Sequence, residues 1–183
     1  MQTLSELLHS TIWGRELSQE EFGRIEAGTF VRRIPAGGWF GEGSMLKNET
    51  RRYDVVALRD SLVACMSRST FQWLLDHSIP FNRFLLNQLN ERLGQFIGRV
   101  EMDRLLETDA RIARSVASLF NPVLYPGIGP QLQISQEEIG YLAGVSRQRA
   151  NQGLKLLEEH KLLRVEYGGI TVIDLEGLRR FGA

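Results

Sequence analysis

The first third of the chain has the alternating, glycine-rich pattern of a β region. Residues 28–35 predict a strand that ends at a proline, and residues 54–58 and 61–66 predict two short strands joined by a turn. Residues 36–44 contain four glycines and predict a tight loop rather than the interior of an element. A serine followed three residues later by a glutamate, at 18–21, predicts a helix start before these strands.

A helical pattern begins at Ser69 or Thr70. Between Pro80 and Thr108 there is no further proline, and apolar side chains recur at alternating spacings of 3 and 4 residues. This is the a/d pattern of a coiled coil of about two heptads, which predicts a dimer interface. Alternatively, the helix packs on the core of its own domain, because roughly three or four heptads would be needed to decide. The predicted interface residues are Leu86, Leu89, Leu93, Phe96 and Val100.

Two further helices flank an irregular loop. The first is predicted over residues 110–120, and the loop at 122–130 carries three prolines and two glycines. Ser135, with Glu138 three residues later, forms a capping box that begins the second helix. Gly144 then supplies the left-handed turn residue that ends it, since only glycine adopts that conformation cheaply.

The helix that follows has two chemically different faces. Ser146 caps its start, and one face is apolar, at Ala150, Leu154 and Leu157. The opposite face carries an arginine and three amides but no carboxylate, and such side chains pair bidentately with base edges. This arrangement predicts a helix-turn-helix, the alternative being an ordinary helical hairpin with a polar outer face. The outer-face residues are Arg147, Gln148, Asn151 and Gln152.

Residues 162–173 predict a β-hairpin directly after this helix, with Gly168 and Gly169 at its turn. A hairpin in this position makes a wing. The C-terminal unit is therefore predicted to be a winged helix-turn-helix.

Composition narrows the class of protein. The 183 residues are 43% hydrophobic and 24% charged, which excludes a disordered chain. No apolar run approaches the roughly 20 residues that span a bilayer, and no secretory signal is evident, so a cytoplasmic protein without a membrane partner is expected. Lysine plus arginine (22) equals aspartate plus glutamate (22), so nucleic-acid binding would have to depend on a local basic cluster.

Neither a catalytic site nor a metal site is expected. The three histidines, His9, His77 and His160, lie far apart without metal-ligand spacing, and the glycine-rich segment is neither a nucleophile elbow nor a P-loop. The single cysteine, Cys65, lies in an apolar strand and is predicted to be a small core residue. The sequence therefore predicts no enzymatic activity and no cofactor.

With these motifs, the chain resembles the Crp/Fnr family of bacterial homodimeric transcription factors, most specifically over residues 134–163. The resemblance implies an α+β fold: an N-terminal β jelly roll (incomplete here), a long dimerisation helix and a C-terminal winged helix-turn-helix. It implies domains at 1–77, 78–107 and 108–183. Double-stranded DNA and RNA polymerase are the partners that it implies.

The resemblance also assigns roles by position. Arg147, Gln148 and Gln152 are similar to the family's three base-contacting residues, and Arg149 resembles a contact to the DNA backbone. The family often has glutamate and arginine where Gln148 and Gln152 stand, so its common target sequence is not expected here. The complete set of predicted DNA-binding residues is Ser135, Ser146, Arg147, Gln148, Arg149, Asn151 and Gln152.

Residues 39–54 resemble the family's phosphate-binding cassette, in which a glycine loop and an arginine hold a cyclic phosphate and a glutamate holds the ribose hydroxyl. Tyr53 stands where the family has a small hydroxyl residue. Phe96 and Ile97 occupy positions that carry adenine-facing hydroxyls in the members that respond to cyclic AMP. The candidate ligand residues are Gly41, Glu42 and Arg52.

The β roll is shortened between Pro35 and Gly38. About forty residues of the family's roughly eight-stranded roll have no counterpart there. Either this is a deletion, or an internal stretch of the protein is absent from this sequence. Because the floor of the pocket would be absent, the effector is expected not to be cyclic AMP, and Glu42 is alternatively a structural turn residue.

The sequence thus predicts a DNA-binding transcription regulator that acts as a homodimer on a near-palindromic operator, with one recognition helix in each half-site. The alternative is a degenerate family member that serves mainly as a dimerisation or protein-interaction module, with weak or no specific DNA binding. The carboxylate-free face of the second helix favours the first interpretation.

Overall fold

A computed structural model of the chain describes residues 17–21, 29–33, 38–50, 62–105 and 107–182. The chain divides into two compact units, residues 1–90 and 91–183. Helices and strands are mixed, as predicted. In chain order the elements are β1 (Thr29–Arg33), α1 (Glu42–Lys47), β2 (Leu62–Met66), α2 (Arg68–His77), α3 (Ile79–Leu105), α4 (Thr108–Ser118), β3 (Gln131–Leu132), α5 (Gln136–Ala143), α6 (Arg147–Glu159), β4 (Leu163–Glu166), β5 (Gly169–Val172) and α7 (Leu175–Arg180).

In the first unit, β1 pairs with β2 in antiparallel fashion. Two of the predicted strands are therefore confirmed, and the strand predicted at 54–58 lies outside the described residues. The prediction for Cys65 was wrong, because this side chain is exposed. Successive side chains of a strand point to opposite faces, and the neighbouring Met66 takes the face that packs against the hydrophobic cluster of this unit.

The glycine-rich loop is shorter than predicted, because α1 begins at Glu42. Gly41 has φ 93° and turns the chain into this helix, and the Ser44 hydroxyl donates to its carbonyl at 2.9 Å. This bond supports the first turn of α1 despite the helical Gly43, whose unfavourable contribution is only about 0.5–1 kcal/mol.

Two helix starts in the first unit show how hydroxyl side chains select a boundary. The predicted capping box forms, with the Ser18 amide donating to Glu21 Oε2 at 2.7 Å and the Glu21 amide to Ser18 Oγ at 3.3 Å. Burial alone would raise the pKa of Glu21, but hydrogen bonds from Ser78 and Ser18 lower it below its ordinary value. Helix α2 begins earlier than predicted because Ser67 caps it by accepting from the Thr70 amide at 3.2 Å.

Helix α3 is a single helix of 27 residues with two apolar faces. Pro80 lies in the first turn, where its missing N–H is not needed. Phe81 and Leu85 are buried beside Phe71 and Leu74 of α2 in the first unit. The other face carries the five residues of the predicted dimer interface, called the seam below. In the single chain they are exposed: Leu86 by 65%, Leu89 by 38%, Leu93 by 56%, Phe96 by 65% and Val100 by 37%.

The core of the second unit lies between α4, α5, α6 and a three-stranded sheet of order β3-β5-β4. Strand β3 and helix α7 were not predicted. Helix α4 ends before the predicted boundary at 120, because its last turn tightens into bonds from the Leu119 and Phe120 amides to carbonyls three residues earlier. The most deeply buried side chains include Ile112, Val116, Ile139, Leu154, Leu157, Leu163, Ile170 and Leu178.

The predicted hairpin is β4–β5, with Glu166 opposite Gly169. Tyr167 and Gly168 therefore form the two-residue turn, one position earlier than predicted. Gly169 belongs to β5 because it lies directly beside the Leu132 carbonyl of β3, where any side chain would collide with the backbone. The missed strand thus accounts for the shifted turn.

Two glycines in this unit meet geometric demands that no other residue satisfies as well. Gly144 ends α5 with φ 66°, which confirms the predicted left-handed turn. Gly153 lies in α6 where that helix meets α4, and a Cβ there would be 2.5 Å from Ile112 Cδ1 and 3.0 Å from Asp109 Oδ1. The two helices can therefore approach this closely only with glycine at position 153.

Replacing Gly153 should separate α4 from α6. We expect Gly153→Ala to lower the free energy of unfolding by about 1–3 kcal/mol, as overpacking does in other cores. Gly94→Ala is the matched control, because a Cβ at this helical position meets nothing within 4 Å; it should raise stability by about 0.5–1 kcal/mol. Urea unfolding measures both, and equal effects of the two variants would contradict the close contact.

Candidate nucleic-acid interface

The starts of α5 and α6 are held by the two predicted serine caps. Ser135 accepts from the Glu138 amide at 3.2 Å, while its own amide donates to Glu138 Oε2 at 2.6 Å, which completes the capping box. Ser146 accepts from the Arg149 amide at 3.2 Å. Both hydroxyls thus serve the helix ends, and contact of either serine with DNA stays a prediction.

Helix α6 is divided into a buried and an exposed face, as predicted. Ala150, Leu154 and Leu157 are fully buried. Of the predicted outer-face residues, Arg147, Gln148 and Gln152 are exposed. Their side chains are available on the surface, where arginine and amide groups can form paired hydrogen bonds with base edges.

Asn151 is only half-exposed, because a side chain of α5 contacts it. The Gln136 side-chain amide donates to Asn151 Oδ1 at 3.2 Å. This bond links the two helices of the motif and orients the Asn151 amide. The sequence predicts Asn151 on the outer face, whereas the structure places it half-exposed against Gln136, a contact that was not predicted.

Arg149 is turned toward α4 instead of outward. Its Nη2 lies 2.7 Å from Asp109 Oδ2, and 34% of its side chain is exposed. The hydrogen bond to the Asp109 carboxylate raises the pKa of Arg149 above its ordinary value, and the negative charge of that carboxylate acts in the same direction. No sequence pattern indicates this pair, because it depends on how α4 and α6 pack.

The hairpin is attached to α6 by a side chain. Glu158 Oε1 accepts from the Val165 amide of β4 at 2.8 Å. In addition, the Leu162 amide donates to the Leu157 carbonyl at 3.0 Å across the end of the helix. The helix and the hairpin are therefore fixed to each other within the second unit.

The candidate ligand residues are only partly described. Gly41 lies at the start of α1, and Glu42 is buried, with 5% of its surface exposed. Arg52 and Tyr53 lie outside the described residues, so the structure does not test whether the three candidates come together. Phe96 and Ile97 of α3 are 65% and 50% exposed.

Two protein-family models match the chain in succession. The cyclic nucleotide-binding domain matches residues 22–78, and the Crp-like helix-turn-helix domain matches residues 103–181. Among the described residues, no helix is both long and apolar enough to cross a membrane.

The chain is also similar to curated bacterial proteins. The chain is 30% identical to the cyclic AMP receptor protein of Thermus thermophilus over 136 residues, covering 74% of this chain and 61% of that protein. It is 27% identical to the cAMP-activated global transcriptional regulator CRP of Haemophilus influenzae over 144 residues, covering 76% of this chain and 63% of the relative. The chain thus spans less than two thirds of these relatives' length.

Solved structures agree on the fold. A CRP-family transcriptional regulator from Thermus thermophilus superposes with a TM-score of 0.56 at 22% identity, covering 84% of this chain and 83% of that structure. FixK2 from Bradyrhizobium japonicum gives 0.56 at 15% identity, covering 69% and 64%. The two matches define a class, the proteins in which a cyclic nucleotide-binding domain precedes a Crp-like helix-turn-helix domain. Within that class, the chain belongs to the Crp/Fnr family.

Removing the Ser146 hydroxyl should destabilise α6 at its first turn. We expect Ser146→Ala to lower the free energy of unfolding by about 1 kcal/mol, because the Arg149 amide loses its partner. Ser146→Asn retains a capping oxygen and should remain close to the original protein. Chemical denaturation of the two variants provides the comparison, and an alanine variant as stable as the asparagine variant would show that the cap contributes nothing.

Proposed function

We propose that this protein is a sequence-specific DNA-binding transcription regulator that acts as a homodimer on a near-palindromic operator. The observation that carries the proposal is the exposed face of the first two turns of α6, which has no carboxylate, on a helix-turn-helix whose opposite face is buried at Ala150, Leu154 and Leu157. A helix of this kind enters the major groove with its first residues at the base edges.

The residues of this face divide by role. Arg147 opens α6, and its guanidinium fork matches the two acceptors of guanine, while Gln148 and Gln152 carry amides that match adenine. Arg149 is assigned to a backbone phosphate, which fixes position but specifies no base. The β4–β5 hairpin, attached to α6 through Glu158, is proposed to be the wing of a winged helix-turn-helix.

The exposed seam of α3 is proposed to be the dimer interface. Five large apolar side chains exposed on one helix face are unfavourable in water, and a second copy of the same helix would bury them. A dimer with two-fold symmetry presents two copies of α6, which matches the two halves of a palindromic site. We accordingly propose three domains: a shortened β-roll domain (1–77), a dimerisation helix (78–107) and a DNA-binding domain (108–183).

The effector is proposed not to be cyclic AMP, although two relatives are named for it. Phe96 and Ile97 of α3 present apolar surface and cannot donate hydrogen bonds to a base. RNA polymerase is the protein partner proposed from family membership.

A second candidate function is a dimerisation or protein-interaction module with weak or no specific DNA binding. The large exposed apolar surface of α3 is compatible with it. A gel-shift titration against genomic fragments with competitor DNA distinguishes the two functions. The regulator should form a complex that survives excess competitor, whereas the interaction module should form none.

A charge placed in the seam should separate the dimer. We expect Leu93→Glu to give monomers, because an ionised carboxylate would have to be desolvated at the centre of the interface. Asn87→Glu adds the same charge at an exposed polar position of α3 and should leave the dimer intact. Sedimentation velocity reports both, and a Leu93→Glu variant that sediments as a dimer would refute the seam.

Arg147 and Arg149 are proposed to contact a base and a backbone phosphate respectively, so replacing them should reduce DNA affinity in different ways. We expect Arg147→Ala to weaken operator binding by roughly 1–3 kcal/mol per half-site and random DNA much less. Arg149→Ala, the matched control, should weaken both DNAs alike and reduce the salt slope by at most about one per half-site, which is the contribution of a single phosphate contact. Binding titrations on both DNAs at several salt concentrations test this. Equal proportional losses for the two variants would show that Arg147 is another phosphate contact.

A further inference from the structure

The ion pair between Asp109 and Arg149 joins the first turn of α4 to the first turn of α6. Only one oxygen of the carboxylate is bonded. Asp109 Oδ2 lies 2.7 Å from the guanidinium, whereas Oδ1 is buried and has no hydrogen-bond partner. The carboxylate therefore depends on Arg149 for the compensation of its charge.

The covering of Oδ1 follows from the close contact of the two helices. A Cβ at Gly153 would lie 3.0 Å from this oxygen, so the backbone of α6 closes over it. A carboxylate that loses its cation in such a place is left partly desolvated and unpaired, which is unfavourable. Asp109 therefore competes for the Arg149 guanidinium.

The same pair reduces what Arg149 can offer to DNA. Arg149 and Asp109 together carry no net charge, and at least one of the five guanidinium N–H donors is directed at the carboxylate. Arg147, two residues earlier, is exposed and lies on the outer face of the helix. A phosphate that approaches α6 therefore meets Arg147 directly, but must compete with Asp109 for Arg149.

We propose that Asp109 is a positioning residue that restrains Arg149 and so weakens the sequence-independent attraction of the protein to the DNA backbone. This inference rests on the proposed function, in which Arg149 contacts a phosphate. Asp109 then sets how much of the binding comes from phosphates, which are the same in every sequence, and how much comes from the bases.

The test removes the charge of Asp109 but keeps its shape. Asp109→Asn is titrated with a random-sequence duplex between about 50 and 200 mM salt. We expect affinity at the low-salt end to rise about three- to tenfold, with a salt slope steeper by up to about one per half-site, because Arg149 becomes free to displace counterions. In an Arg149→Ala background the same substitution should change neither quantity.

Two controls separate this role from a general effect of charge or stability. Glu137→Gln removes one exposed negative charge from the first turn of α5, where the carboxylate accepts from the Tyr141 hydroxyl, and should not reproduce the gain. Urea unfolding of each variant detects a structural role, which would lower stability without steepening the salt slope.

The outcomes are distinct. An unchanged or weaker affinity of Asp109→Asn, or an equal gain in the Arg149→Ala background, overturns the inference while the proposed function stands. If the original protein binds no duplex at any salt concentration, the proposed function fails and this inference fails with it.

Discussion

The close approach of α4 to α6 is the constraint on which the second unit depends. Gly153 and Ile112 meet there with no space for a further carbon atom, and three residues of α6 are fully buried beside this contact. Neighbouring residues of an α-helix differ by about 100° around its axis. A helix that turned by one position would bury an amide and expose a leucine, so the packing of α4 determines which side chains α6 presents outward.

The two compact units are each stabilised by a buried apolar core, but the side chains that form these cores differ. The first unit buries a cluster of aromatic side chains, in which Phe81 of α3 stacks edge-on against Phe71 of α2 with ring centroids 5.5 Å apart. The second unit buries mainly aliphatic side chains between three helices and a small sheet.

With a net charge of zero, the protein can attract DNA only through the placement of particular cations, so the partners of individual arginines matter more than their number.

The features that could be predicted from sequence are those decided by neighbouring residues. The capping box at Ser135, the left-handed Gly144 and the buried stripe of α6 depend on side chains within a few positions of one another, and all three are confirmed. Helix α7 was missed although its Asp174 cap is local, but two other missed features depend on contacts between distant segments. Strand β3 has only two residues, and no periodic pattern can reveal it; its pairing with β5 then moved the hairpin turn. The Asp109–Arg149 ion pair likewise exists only because two helices pack.

The bond from the Val165 amide to Glu158 has a mechanical consequence. Because the last turn of α6 is bonded to β4 at Val165, a tilt of the helix is transmitted to the hairpin. The tip of the hairpin, where Tyr167 is fully exposed, therefore keeps its distance from α6. A binding site for this unit would have to supply two contact points with that separation. Mutations at Glu158 would then relax the tolerated spacing in the site without altering any residue that touches it.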